Sequence, residues 1–308
     1  MSVYTGGEVV YYGYSPEALK RLGLREPVVL VAAHPDDEVL GAGGLLASLD
    51  GFIVVHLTDG APRRMKRGAL GFGTPGEYAA ARRKELLNAL ACMPSTPEEL
   101  MELGVHDLEA SQNLEEITVR LLKIFRTVRP GTVITHPYEG GHPDHDSAAF
   151  AVRTALDLMD KDSAPKARQI EFTSYHALGG KMITSRFLPA ASIETKFILS
   201  NEERERKDRM IMAFESQSRA LKVFTTEFET FREAPEYDFN APPHPGRLFY
   251  ESFDWGVTGP LWRKRASKAM KALAHVTGTP KRIETPGQMA RPVQDILEYF
   301  RFALGRLF

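Results

Sequence analysis

The stretch Val28-Val-Leu-Val-Ala-Ala-His-Pro-Asp-Asp-Glu38 places an apolar run directly before a group of imidazole and carboxylate side chains. An apolar run of this length is typical of a buried strand. In open α/β sheets, binding and catalytic side chains gather where parallel strands end. The stretch therefore predicts a strand of an α/β fold with a functional site at its C-terminal end.

A second stretch of the same kind lies further along the chain. The short run Thr132-Val-Ile-Thr135 is followed by His142-Pro-Asp-His145, so we expect the two groups to meet in one site. Alternating strand and helix patterns predict a mainly parallel, Rossmann-like sheet with helices on both faces. The predicted strands are 51–58, 170–177 and 193–199, and the predicted helices are 38–49, 77–91, 114–127, 147–159 and 200–214.

The residue types indicate a divalent metal site. If Pro35 opens a helix, His34 and Asp37 lie one turn apart and can face the same point. One imidazole of the second motif completes a His/Asp/His set, and His145, which follows Pro143, is the better candidate. Three nitrogen and oxygen ligands with an open fourth position are typical of catalytic zinc, although such a set also accepts iron (Fe2+), cobalt (Co2+) or nickel.

The remaining polar residues of the two motifs suit acid–base chemistry. Asp36 stays free beside such a metal and can take a proton from an attacking water. His142 would lie across the site, where an imidazolium stabilises an oxyanion and protonates a leaving amine. Asp144 can hydrogen-bond one imidazole and fix its orientation. A helix-capping role explains the first motif by itself, but it leaves the second without a reason.

Four short motifs carry a resemblance to a known family, namely Ala33-His-Pro-Asp-Asp-Glu38, Gly43-Gly44-Leu45, Leu57-Thr-Asp-Gly60 and His142-Pro-Asp-His145. In this order they resemble the PIG-L/LmbE-type zinc-dependent N-deacetylases, which include N-acetylglucosaminyl deacetylases. The resemblance covers residues 27–220. It implies a Rossmann-like catalytic domain that hydrolyses an N-acetyl group.

The roles implied by the resemblance agree with the chemical interpretation: zinc on His34, Asp37 and His145, the base at Asp36 and an electrophilic His142. The resemblance adds a substrate-binding residue, Arg82, which stands in an Arg-x-x-Glu pattern whose Arg binds sugar hydroxyls in similar enzymes. The alternative for Arg82 is a solvated charge on a helix.

Composition narrows the class of protein. The 308 residues carry a net charge of −1, which argues against bulk electrostatic attraction to nucleic acid. A single cysteine, Cys92, excludes an intrachain disulfide framework. Neither a signal-peptide pattern at 1–8 nor an apolar stretch long enough to span a bilayer is found, so we expect a cytoplasmic enzyme.

The character of the chain changes after the predicted catalytic domain, residues 1–230. The C-terminal extension, 231–308, begins with a proline-rich linker and continues with basic amphipathic helices. Residues 260–308 carry ten Lys or Arg against three Asp or Glu, and 293–308 place their apolar side chains on one helical face. We expect this face to dock on the body of the protein or on another subunit. Association with an anionic membrane surface is the alternative.

The predicted function is a metal-dependent hydrolase that removes an N-acetyl or other N-acyl group from an amino sugar, such as an N-acetylglucosaminyl conjugate. One alternative is a zinc hydrolase of another N-acyl substrate, such as an acylated antibiotic or amino acid. The other is a non-catalytic sugar-binding relative. The expected partner is a small molecule, and a phosphate-binding loop that would suit a nucleotide is absent from the sequence.

Overall fold

A computed structural model of the chain describes residues 3–5, 7–64, 71–160 and 167–275. The strands are β1 (Val3–Thr5), β2 (Glu8–Tyr12), β3 (Val28–Ala32), β4 (Ile53–Pro62), β5 (Glu99–Asp107), β6 (Thr132–Thr135), β7 (Arg168–Phe172), β8 (Tyr175–Leu178), β9 (Lys181–Thr184), β10 (Glu194–Ile198) and β11 (Phe228–Glu233). The helices are α1 (Pro16–Leu22), α2 (Asp37–Leu46), α3 (Pro75–Leu90), α4 (Leu114–Val128), α5 (Pro143–Asp160), α6 (Asn201–Met212), α7 (Ser218–Leu221) and α8 (Gly259–Leu273).

The main sheet confirms the predicted mainly parallel α/β architecture. Its strand order is β1-β2-β10-β11-β7-β6-β3-β4-β5, and the five strands from β7 to β5 run parallel. The chain builds β4 and β5 on one side of β3 and then crosses over to add β6 and β7 on the other. In such sheets ligands bind outside the carboxyl ends of the strands where the order reverses. Here that point lies between β3 and β6, which both predicted motifs follow.

The strand β3 is buried along its whole length because both faces of the sheet are covered. Side chains of a strand alternate between the two faces. Val29 and Val31 pack into one cluster with residues of α4, α5 and α8. Leu30 and Ala32 pack into the other, with residues of α1, α2, α3 and α6. The continuous apolar run thus places the first motif at the centre of the sheet edge.

Several elements differ from the sequence prediction. The helix expected from Ser147 begins at Pro143, so the second motif forms its first turn instead of a loop. Proline suits that position because its missing N–H has no partner there in any helix. The predicted strand 170–177 is two strands, and the second, β8, leaves the main sheet to pair with β9. Four strands of the main sheet, β1, β2, β5 and β11, were not predicted.

The predicted division at 230/231 falls within β11, which pairs with both β10 and β7. The described part of the extension shares the core of the body, since Phe239, Leu248 and Trp262 are buried with α4 and α5. Residues 65–70 and 161–166, together with the amphipathic stretch predicted at 293–308, lie outside the described residues. Within the described ranges, no helix is both long and apolar enough to cross a bilayer.

Candidate metal centre

The first motif forms a tight turn between β3 and α2. The expectation that Pro35 opens the helix is wrong, because Asp36 adopts φ 136° and ψ −29° and the helix begins at Asp37. A non-glycine residue with positive φ is strained, at a cost of about 1–3 kcal/mol. The turn is closed by the His34 N–H, which donates to Asp37 Oδ2 at 2.8 Å. His34 and Asp37 therefore meet through this turn and not through helical spacing.

Asp37 lies between imidazoles that come from both motifs. Its Oδ2 is 3.1 Å from His34 Nδ1, and its Oδ1 is 3.2 Å from His145 Nε2. A third imidazole, His136, has its Nε2 3.4 Å from Asp37 Oδ2. All four side chains are buried. The structure thus brings together the three residues expected to bind metal and adds His136 to them.

The ionisation of Asp37 and His145 suits metal ligands. Burial raises the pKa of Asp37, but His145 and His136 outweigh it and hold that pKa well below its usual range. Burial lowers the pKa of His145 to about 4, so its imidazole is neutral. Ser174 Oγ lies 3.1 Å from His145 Nδ1 and fixes the ring with Nε2 towards Asp37. An ionised carboxylate and a neutral imidazole are the forms that coordinate metal.

A second carboxylate, Asp107 at the end of β5, reaches the same place. Its Oδ1 is 3.1 Å from His34 Nε2 and 3.8 Å from His142 Nε2. Asp144 Oδ2 is 3.4 Å from His34 Nε2, and its carboxylate accepts two backbone N–H groups just beyond β5, at 2.7 and 3.1 Å. Burial lowers the pKa of His34, but Asp107 and then Asp144 and Asp37 outweigh it, so that pKa is raised well above its usual range.

His142 adopts a different ionisation from the expected imidazolium. Burial, followed by the charge of His34, lowers its pKa well below the usual value. Its Nδ1 accepts the backbone N–H of Asp144 at 3.2 Å, so in the neutral ring the proton lies on Nε2. His142 therefore offers one N–H donor on the side that faces Asp107.

Asp36 lies beside this cluster and is held by Arg82. Arg82 Nη2 donates to Asp36 Oδ2 at 3.0 Å and to the Pro35 carbonyl at 2.6 Å, while Nη1 donates to the Gly60 carbonyl at 3.1 Å. Burial raises the pKa of Asp36 to about 7, and Arg82 opposes that rise. Arg82 is only 4% exposed, which differs from the solvated helical charge considered as its alternative.

A buried pair lies behind the same turn. The Asp36 N–H donates to Glu38 Oε2 at 3.1 Å, and that oxygen is 2.9 Å from His56 Nε2. Both Glu38 and His56 are fully buried. This pair supports the strained backbone of Asp36 from inside the fold.

The cluster contains several ligand atoms that lie close enough together to hold a divalent metal. Three overlapping groups offer ligand atoms within 4.8 Å of one another: His34, His142 and His145; His34, Asp107, His142 and Asp144; and Asp37, His136 and His145. The predicted trio is shared among these groups, with Asp37 in contact with both of its histidines. Nitrogen and carboxylate donors of this kind suit zinc and its neighbours in the first transition row. The residues present therefore fit a divalent metal.

Two residues of the cluster escaped the sequence analysis. His136 follows β6 directly, so the rule that found His34 at the end of β3 would also have found it. Asp107 carried no such signal, because β5 mixes charged, apolar and glycine residues instead of forming an apolar run.

Comparisons with known proteins match the segment that builds this centre. The family described as PIG-L: GlcNAc-PI de-N-acetylase matches residues 29–156. A protein of Bacillus cereus named probable N-acetyl-alpha-D-glucosaminyl L-malate deacetylase 2 is 31% identical over 151 residues, covering 47% of this chain and 68% of that protein. The 1D-myo-inositol 2-acetamido-2-deoxy-alpha-D-glucopyranoside deacetylase of Kineococcus radiotolerans is 27% identical over 177 residues, covering 48% of this chain and 49% of its relative.

A solved structure shares the fold. The crystal structure of a deacetylase of the teicoplanin biosynthesis pathway, in complex with bog, superimposes with a TM-score of 0.51 and 18% sequence identity. The superposition covers 68% of this chain and 98% of that one. At this identity the likeness concerns the fold alone.

Proposed function

The chain belongs to the PIG-L family, and we propose that it is a metal-dependent hydrolase that removes an N-acyl group, acetyl in the first place, from an amino sugar. The observation that carries the proposal is the position of Asp36. Its carboxylate lies beside Asp37, which contacts imidazoles of both motifs, and Arg82 holds it at 3.0 Å. A base next to a site that fits a metal is the arrangement that amide hydrolysis requires.

The proposed ligands are His34, Asp37 and His145, with zinc as the expected metal. When bound, a divalent cation would polarise the amide carbonyl and make a water easier to ionise. Ser174 orients His145 through its Nδ1, and the turn hydrogen bond fixes His34 against Asp37. Asp107 and Asp144 lie on the far side of His34, where their negative charge favours a cation.

In the proposed reaction Asp36 takes a proton from the water that attacks the amide carbonyl. As the C–N bond breaks, the leaving nitrogen accepts that proton from Asp36 and departs as the amine. His142 donates a hydrogen bond from Nε2 to the oxygen on which negative charge develops. Arg82, which the family resemblance predicts to bind sugar hydroxyls, additionally holds one oxygen of Asp36, so that the base keeps its orientation.

The substrate class is taken from the family. The Bacillus and Kineococcus relatives are named as deacetylases of glucosamine conjugates, and we extend an amino-sugar substrate to this chain on that basis. A cytoplasmic location, expected from the sequence, stays a prediction.

The test is amine release from a panel of N-acetylglucosaminyl compounds by the zinc-loaded protein. The control set is Asp36→Asn and, as a matched change elsewhere, Asp50→Asn at an exposed position. We expect release by the wild type and by the Asp50 variant and its loss in the Asp36 variant. Equal turnover by both variants would reject Asp36 as the base. Bound zinc without release from any sugar would reject the amino-sugar substrate and leave other N-acyl compounds.

A further inference from the structure

A line of aromatic rings runs from one imidazole of the metal centre to another. From His145 it passes to Tyr175, with 5.3 Å between ring centroids, and then to Phe249 at 5.5 Å. Phe253 follows at 5.2 Å and Trp255 at 4.4 Å. Trp255 in turn lies 4.9 Å from the ring of His142. We refer to Tyr175, Phe249, Phe253 and Trp255 as the aromatic wall.

The rings of the aromatic wall are not enclosed in the hydrophobic core. All four rings are half-buried or exposed, and Phe253 is 43% exposed. By contrast Trp262, on α8 of the same C-terminal segment, is fully buried and donates from Nε1 to the Pro143 carbonyl at 3.0 Å. Partly exposed apolar side chains that are contiguous with a polar site are typical of ligand-binding grooves.

The aromatic wall is also fixed in place. The Phe249 N–H donates to the Gly140 carbonyl at 2.9 Å, which ties the wall to the loop that precedes His142. On the other side, Gly141 packs so closely on the Tyr175 backbone that a Cβ would lie 1.8 Å from its carbonyl oxygen. Rings held in this way lose little conformational freedom when a ligand binds.

Phe253 and Trp255 present the flattest part of the wall. Their rings are stacked with only 12° between the planes. No wall residue carries a charge, whereas the other residues around His142 and His34 are carboxylates and imidazoles. The site therefore has a polar side, which suits the hydroxyl groups of a sugar, and an aromatic side, which suits apolar groups.

We propose that the aromatic wall is a subsite for an apolar group of the substrate, placed next to the N-acyl bond that is cleaved. The inference rests on the proposed function, since it assumes that His142 and His145 face that bond. It narrows the substrate class to amino sugars with an apolar aglycone or an extended acyl chain. All four residues of the aromatic wall lie outside residues 29–156, which match the family.

Two pairs of substrates distinguish the two sources of the apolar group. The first pair compares the methyl and phenyl glycosides of N-acetylglucosamine, and the second compares N-acetyl with N-hexanoyl groups on the methyl glycoside. Phe253→Ala and Trp255→Leu remove parts of the wall, and Tyr12→Ala removes an aromatic ring that is 63% exposed on β2. The measured quantity is kcat/KM for each pair with each zinc-loaded protein.

We expect the wild type to prefer the apolar member of one pair, and that pair identifies the source. The preference should fall about tenfold in the Phe253 and Trp255 variants, as expected for an apolar contact, and stay unchanged in the Tyr12 variant. A wild type without preference in either pair would overturn the proposal. Equal losses for both members of each pair in the Phe253 and Trp255 variants would do the same.

Binding of the free amines separates this proposal from the proposed function. Phenyl and methyl glucosaminides need no hydrolysis, and their dissociation constants can be measured by calorimetry on the zinc-loaded protein. Tighter binding of the phenyl compound by the wild type than by the Phe253 variant would support the wall even if no N-acetyl compound were hydrolysed. Equal binding of the two amines by the wild type would reject an aglycone subsite, and the hexanoyl pair would then decide between an acyl subsite and none.

Discussion

Two buried groups of charges contact α2, one at its first residues and one further along it, and they differ in how many of their polar atoms have partners. One is the metal centre with Asp36 and its supporting pair, Glu38 and His56. The other is formed by Lys207 on α6 and Glu229 on β11, both fully buried, with Nζ and Oε1 2.7 Å apart. The Glu229 carboxylate also accepts the Tyr14 hydroxyl and two backbone N–H groups of α2, at 2.8 and 3.1 Å.

The second group is complete, because the Glu229 carboxylate accepts hydrogen bonds from four donors: Lys207, Tyr14 and the two backbone N–H groups. Around the metal centre, buried polar atoms lack a partner among the described residues, namely Glu38 Oε1, His56 Nδ1 and His136 Nδ1. Carboxylates also crowd together there, with Asp37 raising the pKa of Asp36. A buried group whose polar atoms all have partners stabilises the fold. A group with unpartnered polar atoms is instead suited to bind a ligand, such as a metal.

The largest expected effect is on turnover, from Asp36→Asn. The amide keeps the shape of the side chain but cannot take a proton from water. We expect kcat to fall about 10²–10⁴-fold, the usual contribution of general acid–base catalysis. Zinc content and thermal midpoint should stay close to those of the wild type. A variant that unfolds or loses zinc would show that Asp36 holds the fold or the metal instead.

Lys207→Met tests the buried group formed by Lys207 and Glu229. It leaves the buried Glu229 carboxylate without its cation, and breaking a buried pair in this way costs about 3–5 kcal/mol. We expect the urea midpoint to fall accordingly while kcat per folded molecule is unchanged. Arg206→Met is the matched control one residue away, since its partner Glu202 is largely exposed and such pairs contribute about 0–1 kcal/mol. A Lys207 variant as stable as this control would contradict the comparison.

Binding of a metal at the metal centre should stabilise the folded protein. A metal present at 100 times its dissociation constant stabilises the folded state by about 2.7 kcal/mol, so zinc should raise the thermal midpoint of the metal-free wild type. His145→Ala should lose both the bound zinc and this rise. His275→Ala, at an exposed position, should keep both. An unchanged zinc content in the His145 variant would reject it as a ligand.

The smallest effect on turnover is expected from a change at Glu38, which lies behind Asp36. Glu38→Ala removes the acceptor of the Asp36 N–H and leaves His56 unpaired. Residues that orient a site from behind contribute about 10–100-fold, so we expect a fall of that size in kcat with KM and zinc content retained. Glu38→Gln keeps an oxygen in the same place and should recover most of the loss. Equal kcat values in the two variants would assign Glu38 to packing alone.

The sequence predicted the parts of the fold that local patterns determine. β3 and β6 are short apolar runs buried from both faces, and α4 carries its apolar residues at helical spacing. The helix predicted over 200–214 is present as α6, which begins with a capping box of Ser200 and Glu203. Since the first motif directly follows β3 and the second begins the helix after the neighbouring parallel strand β6, the contact of His145 with Asp37 followed from topology.

What the sequence did not predict depends on partners that are distant along the chain. β11 reads Phe-Glu-Thr-Phe-Arg-Glu, and two of its charged residues are buried, because Glu229 meets Lys207 and Arg232 meets Glu171. Local hydropathy cannot reveal a charge that is neutralised by a residue from another element. That α2 begins at Asp37 and not at Pro35 has a similar cause, because Arg82 and Glu38 hold the turn at Pro35 and Asp36 in a non-helical conformation.

The place of β11 in the sheet has a consequence for how the chain is assembled. This strand is made after β7 and β10, yet it lies between them, and β10 pairs in turn with β2 from the very start of the protein. The two parts of the sheet, β1-β2-β10 and β7-β6-β3-β4-β5, can therefore join through β11 only after the chain has been made as far as Glu233. Contacts between such distant segments form slowly. A fragment that ends at residue 230, the predicted end of the catalytic domain, would leave strand edges of the sheet unpaired. A shortened version of the protein should therefore extend beyond Glu233.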